Sequence, residues 1–528
     1  MGGAGFGLLD WAVIILYLLA MLGIGAYFHG QQKTSRMFFI AEGRLGSMLV
    51  GLSILGTYLS ALTMIALPGK SFGPEDWLWA VQLPFLLLTA FVITRFVLPW
   101  YRAAGVISVY QFLEQRIHVS ARMLASVAFL VLSAGRMGLT LWLPAMAFCE
   151  IARGTMEAAA IPMWHVQIAI VIMGLVTMAY TVMGGIEAVI WTDVIQVVVF
   201  ILGAVLSVIF ILWDVHASGA DFFGLAAAHH KFRSWEPSLD LTKLATLWLV
   251  LETVFQTIRI YGTQQDMTQR YMATTSTKEA NRSVWISIIG YIPLGFIFYF
   301  IGAALFIYYT ASPDPTVRDA FAAGHFKADQ AYPHFIATRL PIGVRGIVLA
   351  AIFAAAMSTI SSIMNSCSTV CTEDFYRRFW PKERPDRHYL SVARWLTLLW
   401  GAIAIGMAIF FGLKGKSAQD MWSQTMSFST TGVLALMALA FLPIRIRPAA
   451  AIIGFIAAAA SVFYMKSATE IHFLMYPVIG NTLGFVVSLI VNSAMVLAQG
   501  HSLTGPEERF PLKVGEGGQG PGDGNGGG

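Results

Sequence analysis

The sequence predicts an all-α, polytopic membrane protein of about thirteen transmembrane helices, and three observations carry that expectation. Of its 528 residues 57% are hydrophobic and only 12% charged, where a soluble domain is about 45–50% apolar and about 25% charged. The mean hydropathy is +0.68. Apolar runs of about 20 residues, enough to cross a hydrocarbon core about 30 Å thick, recur along almost the whole chain.

The spans read from these runs are 8–28, 46–67, 77–99, 121–150, 164–183, 188–213, 244–261, 284–309, 346–371, 392–411, 421–442, 449–464 and 473–497. MGGAGFGLLD has no basic segment before the first run, so that run reads as a retained span rather than a cleaved signal. Lys and Arg concentrate in the loops after the first, third, seventh, ninth and eleventh spans. That bias predicts an outside N-terminus and a cytoplasmic C-terminus. The longer outside loops, near 214–243 and 310–345, predict short surface helices. Residues 499–528 are Gly-rich, cannot bury a core and predict a disordered cytoplasmic tail. The net charge of +5 fits loops facing anionic lipid, and no basic cluster suggests nucleic acid. Cys149, Cys367 and Cys371 suggest neither a disulfide framework nor a zinc site. No nucleophile–base or phosphate-loop motif suggests an enzyme.

Three spans break the apolar rule in their middles, and the sixth carries a carboxylate at its cytoplasmic end. The ninth, with AAIFAAAMSTISSIMNSCSTVC at 350–371, places Ala355, Ser358, Thr359 and Ser362 on one narrow helical face, with Ser361 one step round. Such a column suits close helix packing, and equally a small hard cation such as Na⁺. The second span, GLSILGTYLSALTMIALPG, is weakened by Gly51, Gly56, Thr57 and Ser60, and Pro68 with Gly69 is expected to end it. The seventh, LETVFQTIRIYGTQQDMTQRY, carries Glu252, Gln256, Arg259, Gly262, Gln264 and Gln265. Counted from the second span, the second and the seventh open two consecutive five-helix blocks. Interrupted helices at matching places in two halves point to an inverted-repeat transporter core. Asp193, in GGIEAVIWTDVIQVVVF, would cost about 2.5–3.5 kcal/mol in lipid unless it meets a partner, a cation or water.

These stretches, with QRYMATTSTKEAN and CTEDFY, resemble the sodium/solute symporter family, which includes proline, pantothenate, sialic acid, iodide and sodium–glucose transporters. The resemblance covers almost the whole chain up to the tail. It implies a five-plus-five, LeuT-like inverted repeat preceded by one helix and followed by two. The expected divisions are 1–45, 46–213, 214–442, 443–498 and 499–528. It also implies a sodium site of the Gly56, Leu59 and Ala355 carbonyls with the Ser358 and Thr359 hydroxyls. A second sodium site, found only in some members, would use Asp193, Ser358, Ser361 and Ser362.

For the solute, the positions that face sugar in the glucose branch are Thr63 and Gly290 here, which disfavours a glucose-type substrate. Tyr58 stands where the proline branch has Asp. Ser60, Thr63, Gln82 and Arg136 match the sialic acid branch, although Tyr58 departs from it. Arg136, in LSAGRMGLTLW, is either a carboxylate clamp or a structural arginine. The expectation is a Na⁺-coupled symporter of a small, carboxylate-bearing organic solute, resident in the plasma membrane, with no nucleic-acid partner. A proton-coupled transporter of the same fold, with Asp193 as carrier, and a solute-binding membrane sensor are the alternatives.

Overall fold

The computed structural model describes residues 6–153, 162–312, 315–322, 328–380, 384–414 and 431–499. The expected tail from 500 onward and the first half of the expected eleventh span, 421–430, lie outside them. Among the described residues the regular structure is all helical, apart from one isolated bridge between Leu45 and Thr274.

The first span is α1 (Leu8–His29). The second is two helices, α2 (Ser47–Tyr58) and α3 (Ala61–Phe72), bent by 58° at the break. Leu59 and Ser60 between them are extended. Local chemistry favours the break. The Thr57 hydroxyl bonds back to Ser53 O at 2.9 Å, and Thr63 Oγ1 accepts from Ser60 N at 3.2 Å, capping the new helix. The expected stop at Pro68–Gly69 does not occur, since α3 runs on to Phe72. Pro68 and Phe72 are both buried, and that packing outweighs one lost backbone hydrogen bond.

The third span, α4 (Leu78–Ala104), mixes 3₁₀, α and π turns. It is followed by α5 (Val119–Arg153) and the 55-residue α6 (Met163–Ala217). At Gly185 in α6, φ is +56°, a left-handed conformation open to glycine. That kink separates the expected fifth and sixth spans. The seventh is again two helices, α7 (Thr246–Thr263) and α8 (Gln265–Met272), with Gln264 extended between them. Then come α9 (Thr277–Thr310), α10 (Val344–Val370), α11 (Asp386–Lys414), α12 (Val433–Ala440), α13 (Pro448–Ala468) and α14 (Met475–Ala498). The loops after α6 and α9 carry the short helices Phe222–Ala228, Pro315–Ala322 and Ala328–Arg339.

By length and composition nine described helices could cross a membrane, or ten with the bent α2–α3 pair. The difference from thirteen has three sources. The kinked α6 counts once. The short, polar α7 is not among the nine. Only the second half of the eleventh span is described.

The centre of the molecule is α10. Every residue from Val348 to Val370 is buried, enclosed chiefly by α6, α5, α1, α11 and α2. Its start is fixed by Asp10 of α1. That carboxylate accepts from Gly343 N at 2.7 Å and Gly346 N at 2.9 Å, and pairs with Arg345 at 3.3 Å. An anion at a helix N-terminus neutralises its exposed N–H groups and dipole. The polar column of α10 is thereby held at a fixed depth against the break in α2–α3.

Candidate ion and solute site

Where a helix unwinds, backbone carbonyls lose their intrahelical partners and turn outward. The break at Leu59–Ser60 does this directly opposite the hydroxyls of α10. Ser358 Oγ donates to Gly56 O at 2.8 Å and lies 3.2 Å from Ala355 O. Thr359 Oγ1 lies 3.2 Å from Leu59 O, 3.2 Å from Ala355 O and 3.4 Å from Thr57 O. The five groups anticipated for the first sodium site therefore meet, although 300 residues separate Leu59 from Thr359. The donor set is three carbonyls and two hydroxyls, all buried and uncharged. That is the chemistry a hard monovalent cation uses to replace its water shell. Among the described residues no group of three or more His, Cys, Asp or Glu could hold a metal, so a transition-metal site is not what this cluster offers.

The second anticipated site shares Ser358 and adds Ser361 and Ser362, about one turn further along α10, with Asp193 from α6. Ser361 Oγ and Ser362 Oγ donate to Ser358 O at 3.1 and 2.6 Å, and Ser362 Oγ is 3.0 Å from Thr57 Oγ1. Asp193, on α6, is fully buried. Its Oδ2 accepts from Ser53 Oγ at 2.5 Å and from Arg270 at 2.8 Å. Arg270 also donates to Ser362 Oγ at 2.5 Å, Ser53 Oγ at 2.8 Å and Asp266 O at 2.6 Å. The partner that a carboxylate in lipid requires is thus a guanidinium from α8, 77 residues away in the chain. Arg270 lies in the QRYM stretch, and an arginine just past the interrupted seventh span is the sequence signal that points to it. Asp193 Oδ1 has no hydrogen-bond partner, so one carboxylate oxygen remains open to a further donor or cation.

The solute candidates occupy the walls around the two breaks. Ser60 and Thr63 stand together at the start of α3. Gln82, in the 3₁₀ part of α4, donates to the Tyr299 hydroxyl at 3.1 Å and accepts from Thr253 of α7. Arg136 of α5 donates to Gln264 Oε1 at 3.1 Å and pairs with Asp266 at 3.2 Å. It therefore braces the extended link between α7 and α8. No hydrogen bond joins Gln82 to Arg136. Tyr58, at the end of α2, packs on Tyr261 and Tyr291 at centroid distances of 5.6 and 4.7 Å. This small aromatic cluster sits beside Ser60 and narrows the space there. Tyr58, Ser60, Gln82 and Arg136 all keep partial exposure deep inside the helical assembly. Gln264 and Asp266 join the site through Arg136. In the sequence Gln264 stands out only as part of a polar run, and Asp266 does not stand out.

Comparison with known proteins bears on this arrangement. The model of the sodium:solute symporter family matches residues 38–458. A sodium/sialic acid symporter of Proteus mirabilis is 31% identical over 482 residues, 90% of this chain and 93% of that protein. A sodium/sialic acid symporter of Aliivibrio fischeri is 28% identical over 492 residues, 92% of this chain and 93% of that protein. A solved structure of a Na⁺-coupled sialic acid symporter, substrate-bound and outward-open, superposes with a TM-score of 0.82 at 30% identity. It covers 93% of this chain and 98% of that one.

Proposed function

The chain belongs to the sodium:solute symporter family, and from that premise we propose that it is a Na⁺-coupled symporter of a small, carboxylate-bearing organic solute. The observation that carries the sodium part is the meeting of the Gly56, Leu59 and Ala355 carbonyls with Ser358 and Thr359. Those five groups form the first sodium site, across the break of α2–α3 and α10. The second uses Asp193, Ser358, Ser361 and Ser362, and is supported by the unbonded oxygen of Asp193. Ser60, Thr63, Gln82 and Arg136 face the solute. Similarity to two sialic acid symporters supports an organic anion of that kind.

Mechanistically, Na⁺ ties α2 to α10 and fixes the start of α3, where Ser60 and Thr63 stand. Solute binding then favours sodium and sodium favours solute, because linkage is reciprocal. The assembly rocks between outward- and inward-open states and releases both. The membrane potential adds about 2.3 kcal/mol per charge per 100 mV. In this reading the chain has thirteen spans: one helix (1–45), two five-helix inverted repeats (46–213 and 214–442) and two further helices (443–498). The N-terminus is outside, the C-terminal tail is cytoplasmic, and the membrane is the plasma membrane. The two broken helices, α2–α3 and α7–α8, support the repeat.

Counterflow into proteoliposomes, with labelled carboxylates, amino acids and sugars, tests the reading. Uptake of a carboxylate such as sialic acid should collapse when choline replaces Na⁺ at fixed pH. Uptake indifferent to that replacement would contradict sodium coupling and favour protons.

A further inference from the structure

We propose that Arg259 is the specificity-determining residue that makes the solute site select an anion. The inference rests on the reading of Ser60, Thr63, Gln82 and Arg136 as the solute site, and names the charge the solute must bring.

A guanidinium taken out of water needs an anion in place of its hydration shell. The described arginines that are fully enclosed are Arg122, Arg259, Arg270 and Arg345. Three follow the rule: Arg122 pairs with Asp374 and Glu114, Arg270 with Asp193, and Arg345 with Asp10. Arg136, whose side chain is 12% exposed, pairs with Asp266. Arg259, only 2% exposed, forms no ion pair with any described carboxylate. Its Nε donates to Gln256 Oε1 at 3.1 Å, a neutral acceptor, and one terminal nitrogen has no partner.

Its position joins it to the solute site. Arg259 lies on the last turns of α7 before the extended Gln264, and Gln264 is itself bonded to Arg136. Arg136, Glu252 and Asp266 all lie within electrostatic reach of Arg259. Arg136, Arg259 and Glu252 all lie within reach of Tyr58. The charge of Arg136 is already matched by Asp266. Glu252 shares the helical face of Arg259, but seven residues is two turns, a rise of about 10 Å. The guanidinium with an unmatched donor at the end of α7, just before the Gln264 link that Arg136 holds, is therefore that of Arg259, and a carboxylate is the group whose geometry and charge complete it.

The test uses counterflow in proteoliposomes with sialic acid and a panel of smaller carboxylates. The best transported acid is then competed against itself and against its primary amide. Wild type should prefer acid over amide about tenfold or more. Arg259→Gln should raise the half-inhibitory concentration of the acid about tenfold or more, change that of the amide less than about twofold, and leave sodium half-saturation unchanged. Arg259→Lys, which keeps the charge but not the fork, should fall between. If Arg259→Gln fails to fold, Glu252→Gln/Arg259→Gln, which removes one charge of each sign, carries the same readout. A variant without Arg259 that keeps the full acid preference overturns the proposal while leaving the solute site standing. A wild type that does not distinguish acid from amide overturns the anionic-solute reading itself.

Discussion

Replacing Arg270 by Gln exposes the central electrostatic bond of the molecule. Arg270 and Asp193 are both wholly buried and stand 2.8 Å apart. Arg270 makes four hydrogen bonds, to Asp193 Oδ2, Ser362 Oγ, Ser53 Oγ and Asp266 O. With the guanidinium gone, Asp193 keeps only the Ser53 hydroxyl, because its other oxygen already lacks a partner. Breaking a buried pair from one side costs about 3–5 kcal/mol, most of it the uncompensated charge left behind. Asp193→Asn in the same chain removes that charge, so the double variant should recover a coupling energy of about 2 kcal/mol or more. The assay is chemical denaturation of purified protein in detergent, run as a double-mutant cycle, because heat unfolding of membrane proteins is commonly irreversible. Sodium supplies a second readout. With no guanidinium beside Asp193, Na⁺ becomes the cation available to it, so added Na⁺ should stabilise Arg270→Gln more than wild type. A cost below about 1 kcal/mol, or strictly additive single variants, would refute the reasoning, since a pair that couples this weakly is not a pair.

Asp10→Ala should destabilise by about 3 kcal/mol, because it strips an anion from the start of α10 and leaves Arg345 buried without it. Denaturant midpoints check this, and a surface-like change under about 0.5 kcal/mol would contradict it. Arg136→Gln should raise the solute KM about tenfold or more with sodium half-saturation unchanged, and a normal KM removes Arg136 from the solute site. His334, on the loop helix Ala328–Arg339, has its imidazole pushed down to about 4 by burial, and its Nδ1 lies 2.7 Å from the Tyr309 hydroxyl. Its pKa is lower folded than unfolded, so the unfolded chain takes up protons first. Stability should hold above about pH 6.5 and fall between there and about pH 4. His334→Gln should flatten that segment of the stability–pH curve.

Much of this architecture is written in local composition. Gly56, Thr57 and Ser60 on one side, and Gly262, Gln264 and Gln265 on the other, announce broken helices, because hydroxyl, amide and glycine residues weaken a helix within a few residues of themselves. The small-and-hydroxyl face of α10 is legible for the same reason, as a 3.6-residue periodicity within one segment. Pairings across the chain are not local. Ser53, Asp193 and Arg270 converge from positions 217 residues apart at most, and nothing in the neighbourhood of Asp193 names its partner. Arg136 illustrates the same limit. Its residue type predicts an anion, but the anion it meets first is Asp266 of the same chain. The stop expected at Pro68 fails because buried packing, invisible to a local rule, carries α3 four residues further.

The most direct measurement is a sodium titration of solute uptake in Ser358→Ala, Thr359→Ala and the double variant. If these hydroxyls and the carbonyls across from them hold the driving ion, each single change raises the sodium half-saturation about tenfold or more, and the double change abolishes sodium stimulation. A double variant whose uptake still follows the wild-type sodium curve would place the ion elsewhere.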